Sequence, residues 1–159
     1  MVMAAYRVIM VMGVLMGSCL ALGCGSSSSG EGNISPLAHK KKFIKEADAI
    51  CSEIAKEREA AADDWREEFP GGQEEANEHL DEGFQEVVGP SWGKEAEELE
   101  GLVPPETDQA MVTRLIGILS DAGHDLEEGD NPKKVLAARL SQFEREATAF
   151  GFHVCSRPI

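Results

Sequence analysis

Apolar residues recur at spacings of three, four and seven positions in four long stretches of this chain. Such spacing is typical of amphipathic helices, whereas a surface strand would alternate between polar and apolar positions. The stretches predict helix A over about residues 37–69, helix B over about 73–103, helix C over about 106–128 and helix D over about 132–150. The pattern therefore predicts an all-α protein.

The apolar stripe of each predicted helix identifies the residues expected in the core. Arg58 falls on the stripe of helix A, where we expect its stem to cover apolar surface while its guanidinium group reaches water. The predicted core comprises Phe43, Ala47, Ile50, Ile54, Ala61 and Trp65 in helix A, Ala76, Leu80, Phe84, Val87, Ala96, Leu99 and Leu102 in helix B, Met111, Leu115, Ile118, Leu119, Ala122 and Leu126 in helix C, and Leu136, Leu140, Phe143, Ala147 and Phe150 in helix D.

Capping residues, glycines and prolines set the expected helix boundaries. A capping side chain followed by proline opens helices A and D, at Ser35-Pro36 and Asn131-Pro132. Gly151 is expected to cap the C-terminus of helix D. Gly89-Pro90 must break or kink helix B, because proline lacks an amide hydrogen and its ring clashes with the preceding turn.

The connections between these helices are short, which favours antiparallel neighbours and predicts an up-down-up-down four-helix bundle. Cys51 lies about 18 residues, or about 27 Å of helix, before the end of helix A. Helix D returns over about 19 residues, or about 28 Å. In this topology the C-terminal tail that carries Cys155 therefore reaches the level of Cys51.

The first 23 residues have the features of a targeting segment. Arg7 is their one charged residue, and residues 8–22 form an almost unbroken apolar run of fifteen. That run is shorter than the roughly 20 residues that a membrane-spanning helix needs, and it has the length of the apolar region of a signal peptide. We therefore predict that residues 1–23 are a signal peptide.

The stretch Ala21-Leu22-Gly23-Cys24 follows the apolar run and resembles the lipobox of bacterial lipoproteins. The resemblance implies that Cys24 receives a diacylglycerol and becomes the new N-terminus, anchored at the extracytoplasmic face of the cell membrane. Ala21 departs from the leucine that is usual in that motif, and a second cysteine, Cys19, fits the motif less well. Ordinary secretion and an uncleaved anchor remain alternatives.

The chain after the signal peptide divides into a tether and one small domain. Residues 24–36 comprise the lipidated cysteine and a Gly/Ser-rich tether, which spans roughly 20 Å on average, and residues 37–159 form the helical domain. Loss of Arg7 leaves 14 of the 15 basic residues against 29 acidic ones, a formal net charge of −15. This charge repels nucleic acid and anionic lipid headgroups, so no nucleic-acid partner is expected.

Two cysteines remain once Cys19 is removed and Cys24 is acylated. In an oxidising compartment Cys51 and Cys155 are expected to form a disulfide that links helix A to the C-terminal tail. Two unrelated free thiols are the alternative. The loop closed by the bond would contain about 100 residues, and closing it would stabilise the fold by roughly 4–5 kcal/mol on a chain-entropy model.

Three short motifs carry a further resemblance: ADAIC at residues 47–51, GLVPPE at 101–106 and GFHVC at 151–155. Together with the lipobox and the tether, they resemble a family of uncharacterised actinobacterial lipoproteins. The resemblance implies a location and an architecture, and it assigns no activity and no catalytic residue.

The sequence contains no recognisable catalytic motif, and no enzymatic activity, cofactor or metal site is predicted. A di-metal bundle needs Glu-x-x-His on two helices, whereas this chain offers only Asp121-x-x-His124 and a Glu75–His79 pair. The acidic run 125–130 lacks the ligand spacing of an EF-hand.

One run of positively charged residues lies at a helix N-terminus, where such residues are unfavourable. Lysines 40–42 follow His39 in the first turns of helix A, where the helix dipole disfavours cations. Contact with anionic lipid headgroups would explain them, and ordinary solubilising lysines are the alternative.

These observations predict a lipid-anchored extracytoplasmic helical bundle that acts as a binding or structural module for an unknown protein or small-molecule partner. The alternative is a cation-binding or metal-handling protein that uses carboxylates with His79 or His124.

Overall fold

A computed structural model of the protein describes residues 35–157, so the predicted signal peptide, Cys24 and most of the tether lie outside the described residues. The described part is helical and contains no strand, which confirms the all-α class. Its α-helices are α1 (Pro36–Glu67), α2 (Gln73–Glu78), α3 (Leu80–Gly83), α4 (Gly89–Glu100), α5 (Gln109–Glu127), α6 (Pro132–Val135) and α7 (Ser141–Phe150). Two π-helical turns, Phe84–Val88 and Leu136–Leu140, and one 3₁₀ turn, Glu106–Asp108, join some of them.

Helix α1 begins where the sequence predicts. The Ser35 hydroxyl accepts a hydrogen bond from the amide of Ala38 at 3.2 Å, and Pro36 occupies the first turn. Such a cap satisfies one of the backbone donors that have no partner inside a helix. The buried face of α1 comprises Phe43, Ala47, Cys51 and Ile54.

The region predicted as helix B stays helical through Gly89-Pro90. The amide of Gly89 bonds to the carbonyl of Phe84, five residues earlier, at the end of the π-helical turn. A π turn widens the backbone by one residue, and it is a recognised way to absorb the missing amide hydrogen and the bulk of proline. Pro90 therefore neither ends nor splits this helical region, and α4 continues from it to Glu100.

Helices α4 and α5 pack closely through glycines. A Cβ added at Gly123 of α5 would lie 2.8 Å from the carbonyl oxygen of Gly89 and 2.9 Å from the amide nitrogen of Gly93. Both atoms belong to the backbone of α4, so neither can rotate away. Only glycine at position 123 permits this separation between the two helices.

The C-terminal segment closes over the start of α1. Gly151 adopts a φ of 114°, and its amide bonds to the carbonyls of Ala147 and Thr148, which confirms the predicted glycine cap. Phe152, immediately after the cap, packs with Phe43 and Phe150, with ring centroids 6.1 and 4.8 Å away. This aromatic cluster joins α1 to the end of α7.

The core differs from the predicted stripes at several positions. Ala61 is exposed and Leu80 is 49% exposed, so both are wrongly placed in the core by the periodicity. The stripes also miss buried residues, namely Trp92, Glu95, Val112, Ile116 and Val135. The last turns of α1 pack on α3 through Trp65 and Gly83, and Ala61 lies outside this contact.

None of the helices in residues 35–157 combines the length and the apolar character that are needed to cross a membrane.

Candidate functional site

The predicted disulfide is present and deeply buried. Cys51 of α1 and Cys155 of the C-terminal segment are bonded, with their Cα atoms 5.2 Å apart. Their side chains are 3% and 0% exposed, respectively. Because soluble thiols cannot reach the bond without opening the fold, this burial favours a structural role over thiol exchange.

Asp48 holds the C-terminal segment from the same face of α1. One carboxylate oxygen, Oδ1, accepts hydrogen bonds from the amides of Val154 at 2.9 Å, Cys155 at 3.1 Å and His153 at 3.2 Å. Asp48 lies about one helical turn before Cys51, so the carboxylate and the disulfide secure the same segment together. The periodicity of helix A and its motifs give no signal for this role of Asp48.

A buried carboxylate lies against the disulfide. Glu95 of α4 is 1% exposed, and one of its oxygens and the two sulfurs of Cys51 and Cys155 all lie within 4.8 Å of one another. This is also the one group of three His, Cys, Asp or Glu side chains within residues 35–157 that is compact enough to hold a metal. Two of its three members are joined in the disulfide, so their sulfurs are not thiolate ligands.

Arg58 of α1 is the cation that faces Glu95. Its Nη1 lies 3.6 Å from Glu95 Oε2 and donates a hydrogen bond to the Ser91 hydroxyl at 3.3 Å. Desolvation raises the pKa of Glu95 to about 7, although Arg58 partly opposes that shift. Burial lowers the pKa of Arg58, and its contact with Glu95 partly offsets the effect. Arg58 is therefore turned inward, and the expectation that its charge reaches water is wrong.

The opposite end of α1 carries half-buried aromatic groups, and Leu80 beside them is exposed. The ring of Trp65 lies 4.8 Å from that of Phe69, and Phe69 stacks on His79 at 5.0 Å. The indole of Trp65 also covers Gly83, where an added Cβ would lie 3.0 Å from the ring. A shallow groove of about 170 Å³ lies beside this contact, lined by Ala62, Trp65, Arg66, Leu80, Gly83, Phe84, Val87 and Val88.

Carboxylates are abundant in the segments that line this groove. Residues 59–86, which we call the acidic-aromatic end, contain eleven Asp and Glu residues, and Arg66 is the one Lys or Arg among them. Ten of the eleven are exposed, and the eleventh, Glu75, accepts a hydrogen bond from the amide of Gly71 at 2.6 Å. Arg66 forms an ion pair with Asp63. This end of the molecule therefore combines apolar surface with a strongly negative potential.

The histidines considered for cation binding contact single carboxylates. His79 Nδ1 lies 3.1 Å from Glu82 Oε1, and this hydrogen bond raises the pKa of His79. His124 Nε2 lies 3.4 Å from Glu128 Oε1, whereas Asp121 pairs with Arg139. In the two suggested pairs, Glu75–His79 and Asp121–His124, the histidines therefore contact Glu82 and Glu128. The carboxylates of these pairs contact the Gly71 amide and Arg139.

Lysine 40 of the basic run has structural partners. Its Nζ lies 3.5 Å from Asp108 Oδ2 and 3.9 Å from the centre of the Phe150 ring. A cation over an aromatic face is attracted by the ring quadrupole. Lys42 lies 3.6 Å from Glu46, and Lys41 is exposed.

No protein-family model, curated protein or solved structure matches this chain. Its function must therefore be inferred from its own residues and contacts.

Proposed function

We propose that this protein is a lipid-anchored helical module at the extracytoplasmic face of the cell membrane, where it binds a partner. The lipid is attached at Cys24, and the proposed role does not include catalysis. The apolar run of residues 8–22 and the lipobox-like Ala21–Cys24 support the anchor. The Cys51–Cys155 disulfide supports the compartment, because such bonds persist in oxidising environments and are rare in the cytosol.

We further propose that the helices are arranged up-down-up-down. Contacts of α4 with both α1 and α5, and of α5 with α7, support this arrangement. It is also supported by the disulfide, since that bond joins α1 to the segment that follows α7.

The observation that carries the binding role is the acidic-aromatic end. Helix α1 contains 32 residues and is therefore about 48 Å long. Residues 59–86 therefore include the end of α1 that is remote from its first residue, Pro36. Aromatic groups beside a charged rim are typical of surfaces that recognise other molecules, and aromatic residues contribute strongly to binding energy.

Substitution of Cys24 by alanine tests the anchor. We expect the full-length protein to partition with membranes and to carry an added mass consistent with acylation, and C24A to lose both. Cys19→Ala is the matched control and should retain both. Wild-type protein that is found in the soluble fraction without acyl mass would contradict the anchor.

Native mass spectrometry of the purified protein distinguishes the binding module from the alternative, cation handling by carboxylates with His79 or His124. We expect no stoichiometric metal to remain after desalting. A retained divalent cation that is lost in His79→Gln or His124→Gln would favour the alternative.

A further inference from the structure

The groove at the acidic-aromatic end has the size of a site for one side chain. Its volume of about 170 Å³ is below the roughly 300–1,000 Å³ that small-molecule sites occupy. Seven of its eight lining residues are apolar or glycine, and the eighth, Arg66, is ion-paired with Asp63. Leu80 is 49% exposed at its edge. The groove therefore suits a single apolar side chain presented by a larger molecule.

The charge of the segments that line the groove determines which molecules can approach it. These segments carry exposed carboxylates, which we call the rim, at Asp63, Asp64 and Glu67 of α1 and at Asp81 and Glu82 of α3, and none of the five is a lining residue of the groove. An anionic lipid surface, a nucleic acid or the same end of a second copy would be repelled. A chain segment with basic residues on both sides of its apolar anchor would be attracted.

We propose that this groove docks a basic segment of a partner protein, with one apolar side chain inserted among Trp65, Leu80 and Phe84 and with flanking Lys or Arg residues against the rim. This proposal rests on the binding role proposed above, although not on the lipid anchor. The apolar contact supplies most of the affinity, because exposed ion pairs contribute little and are screened by salt. The carboxylates mainly accelerate association and select the charge of the partner.

Trp65 provides a direct signal of occupancy. The chain contains two tryptophans, and Trp92 is 0% exposed in the core, whereas Trp65 lines the groove. Insertion of an apolar side chain should therefore shift the emission of Trp65 and leave that of Trp92 unchanged. Trp65→Phe identifies the source of the signal.

The experiment titrates full-length protein in nonionic detergent with a synthetic peptide of about twelve residues that carries one leucine between lysines in a glycine background. The matched peptide has serine in place of leucine. We expect the leucine peptide to bind about tenfold more tightly at low salt. Equal affinities, or no binding of the leucine peptide, would overturn the proposal.

Two variants with the same change in charge separate docking from general attraction. Leu80→Lys places a cation on the lining of the groove, and Asn77→Lys places one on the exposed face of α2, outside the lining. We expect L80K to weaken the leucine peptide about tenfold and N77K to weaken it less than threefold. Equal losses in the two variants would show attraction by charge alone and overturn the proposal.

Two further measurements test whether a second copy occupies the groove and whether docking depends on the lipid. A concentration-dependent dimer in analytical ultracentrifugation that L80K abolishes would assign the groove to a second copy and overturn the proposed partner. C24A should bind the leucine peptide as the wild type does, so failure of lipidation leaves this test intact. Loss of peptide binding in a protein that carries acyl mass would reject the groove alone.

Discussion

At the scale of single residues, Glu95 is the most unusual group among those the structure describes. It is a carboxylate of 1% exposure that is packed against a disulfide and faces Arg58 from α1. Folding raises its pKa from an ordinary value near 4.5 to about 7, because burial disfavours the charged form more than Arg58 favours it. Between those pH values the folded protein holds a proton that the unfolded chain releases.

This shift makes the contribution of Glu95 to stability fall as pH rises. Below about pH 4.5 the residue is protonated in both states, and above about pH 7 it is ionised in both, so the loss develops between these values. A shift of this size corresponds to about 3 kcal/mol. We expect Glu95→Gln to match the wild type near pH 5 and to be more stable by about 2–3 kcal/mol at pH 8.

Urea unfolding at several pH values measures this difference. Glu97→Gln is the matched control, because it removes a carboxylate from an exposed position on the same helix. A difference between E95Q and wild type that stays constant from pH 5 to pH 8 would contradict the assigned titration.

The sequence contained part of the information about this buried pair. Arg58 falls on the apolar stripe of α1, and a cation at such a position requires either water or an internal partner. Glu95 lies three residues after Trp92 and four before Leu99, so it also falls on an apolar stripe, whereas Glu97 and Glu98 of the same helix do not. That Arg58 and Glu95 meet depends on how α1 and α4 are rotated against each other, which is a property of tertiary packing.

At the scale of elements, helix locations followed from the sequence because their signals are local. Ser35, Asn131 and Gly151 act as caps, as their residue types predict. The π-helical turns could not be predicted, since they depend on adjustments between packed helices and not on one local motif. The exposure of Leu80 likewise could not be predicted, because it depends on which helices pack against α3. Leu80 lines the groove proposed above as a docking site.

The contact between α4 and α5 leads to a prediction about glycine. Gly123→Ala would place a methyl group 2.8 Å from a backbone oxygen of α4, so the helices must separate. We expect a loss of about 1–3 kcal/mol in the free energy of unfolding, despite the better helix propensity of alanine. Gly117→Ala on the same helix meets nothing within 4 Å and should be stabilising by about 0.5–1 kcal/mol. Urea denaturation of both variants checks this, and equal stabilities would contradict the close contact.

At the scale of the whole molecule, the disulfide and Asp48 fix the last residues of the chain to its first helix. The two cysteines are 104 positions apart, so the bond restricts nearly the whole unfolded domain. The sequence predicted this pairing because two cysteines remain in a chain expected to reach an oxidising compartment, and the structure confirms the bond. It did not predict the three amide hydrogen bonds to Asp48, because an aspartate within a charged helix carries no sign of a distant backbone partner.

The size of the closed loop predicts how much the domain depends on this bond. A loop of about 100 residues corresponds to roughly 4–5 kcal/mol on the chain-entropy model, which is a large share of the 5–15 kcal/mol typical of small proteins. We therefore expect the double variant Cys51→Ala/Cys155→Ala to lose about 3–5 kcal/mol, as measured by urea denaturation. Its helical circular dichroism should persist at low temperature, since Asp48 and the aromatic cluster still hold the C-terminal segment.

The native wild-type protein should take up no alkylating reagent at Cys51 or Cys155 until it is reduced and unfolded. If the double variant unfolds within about 1 kcal/mol of the wild type, the bond does not restrict the unfolded chain as proposed, and the hydrogen bonds of Asp48 would then hold the C-terminus by themselves.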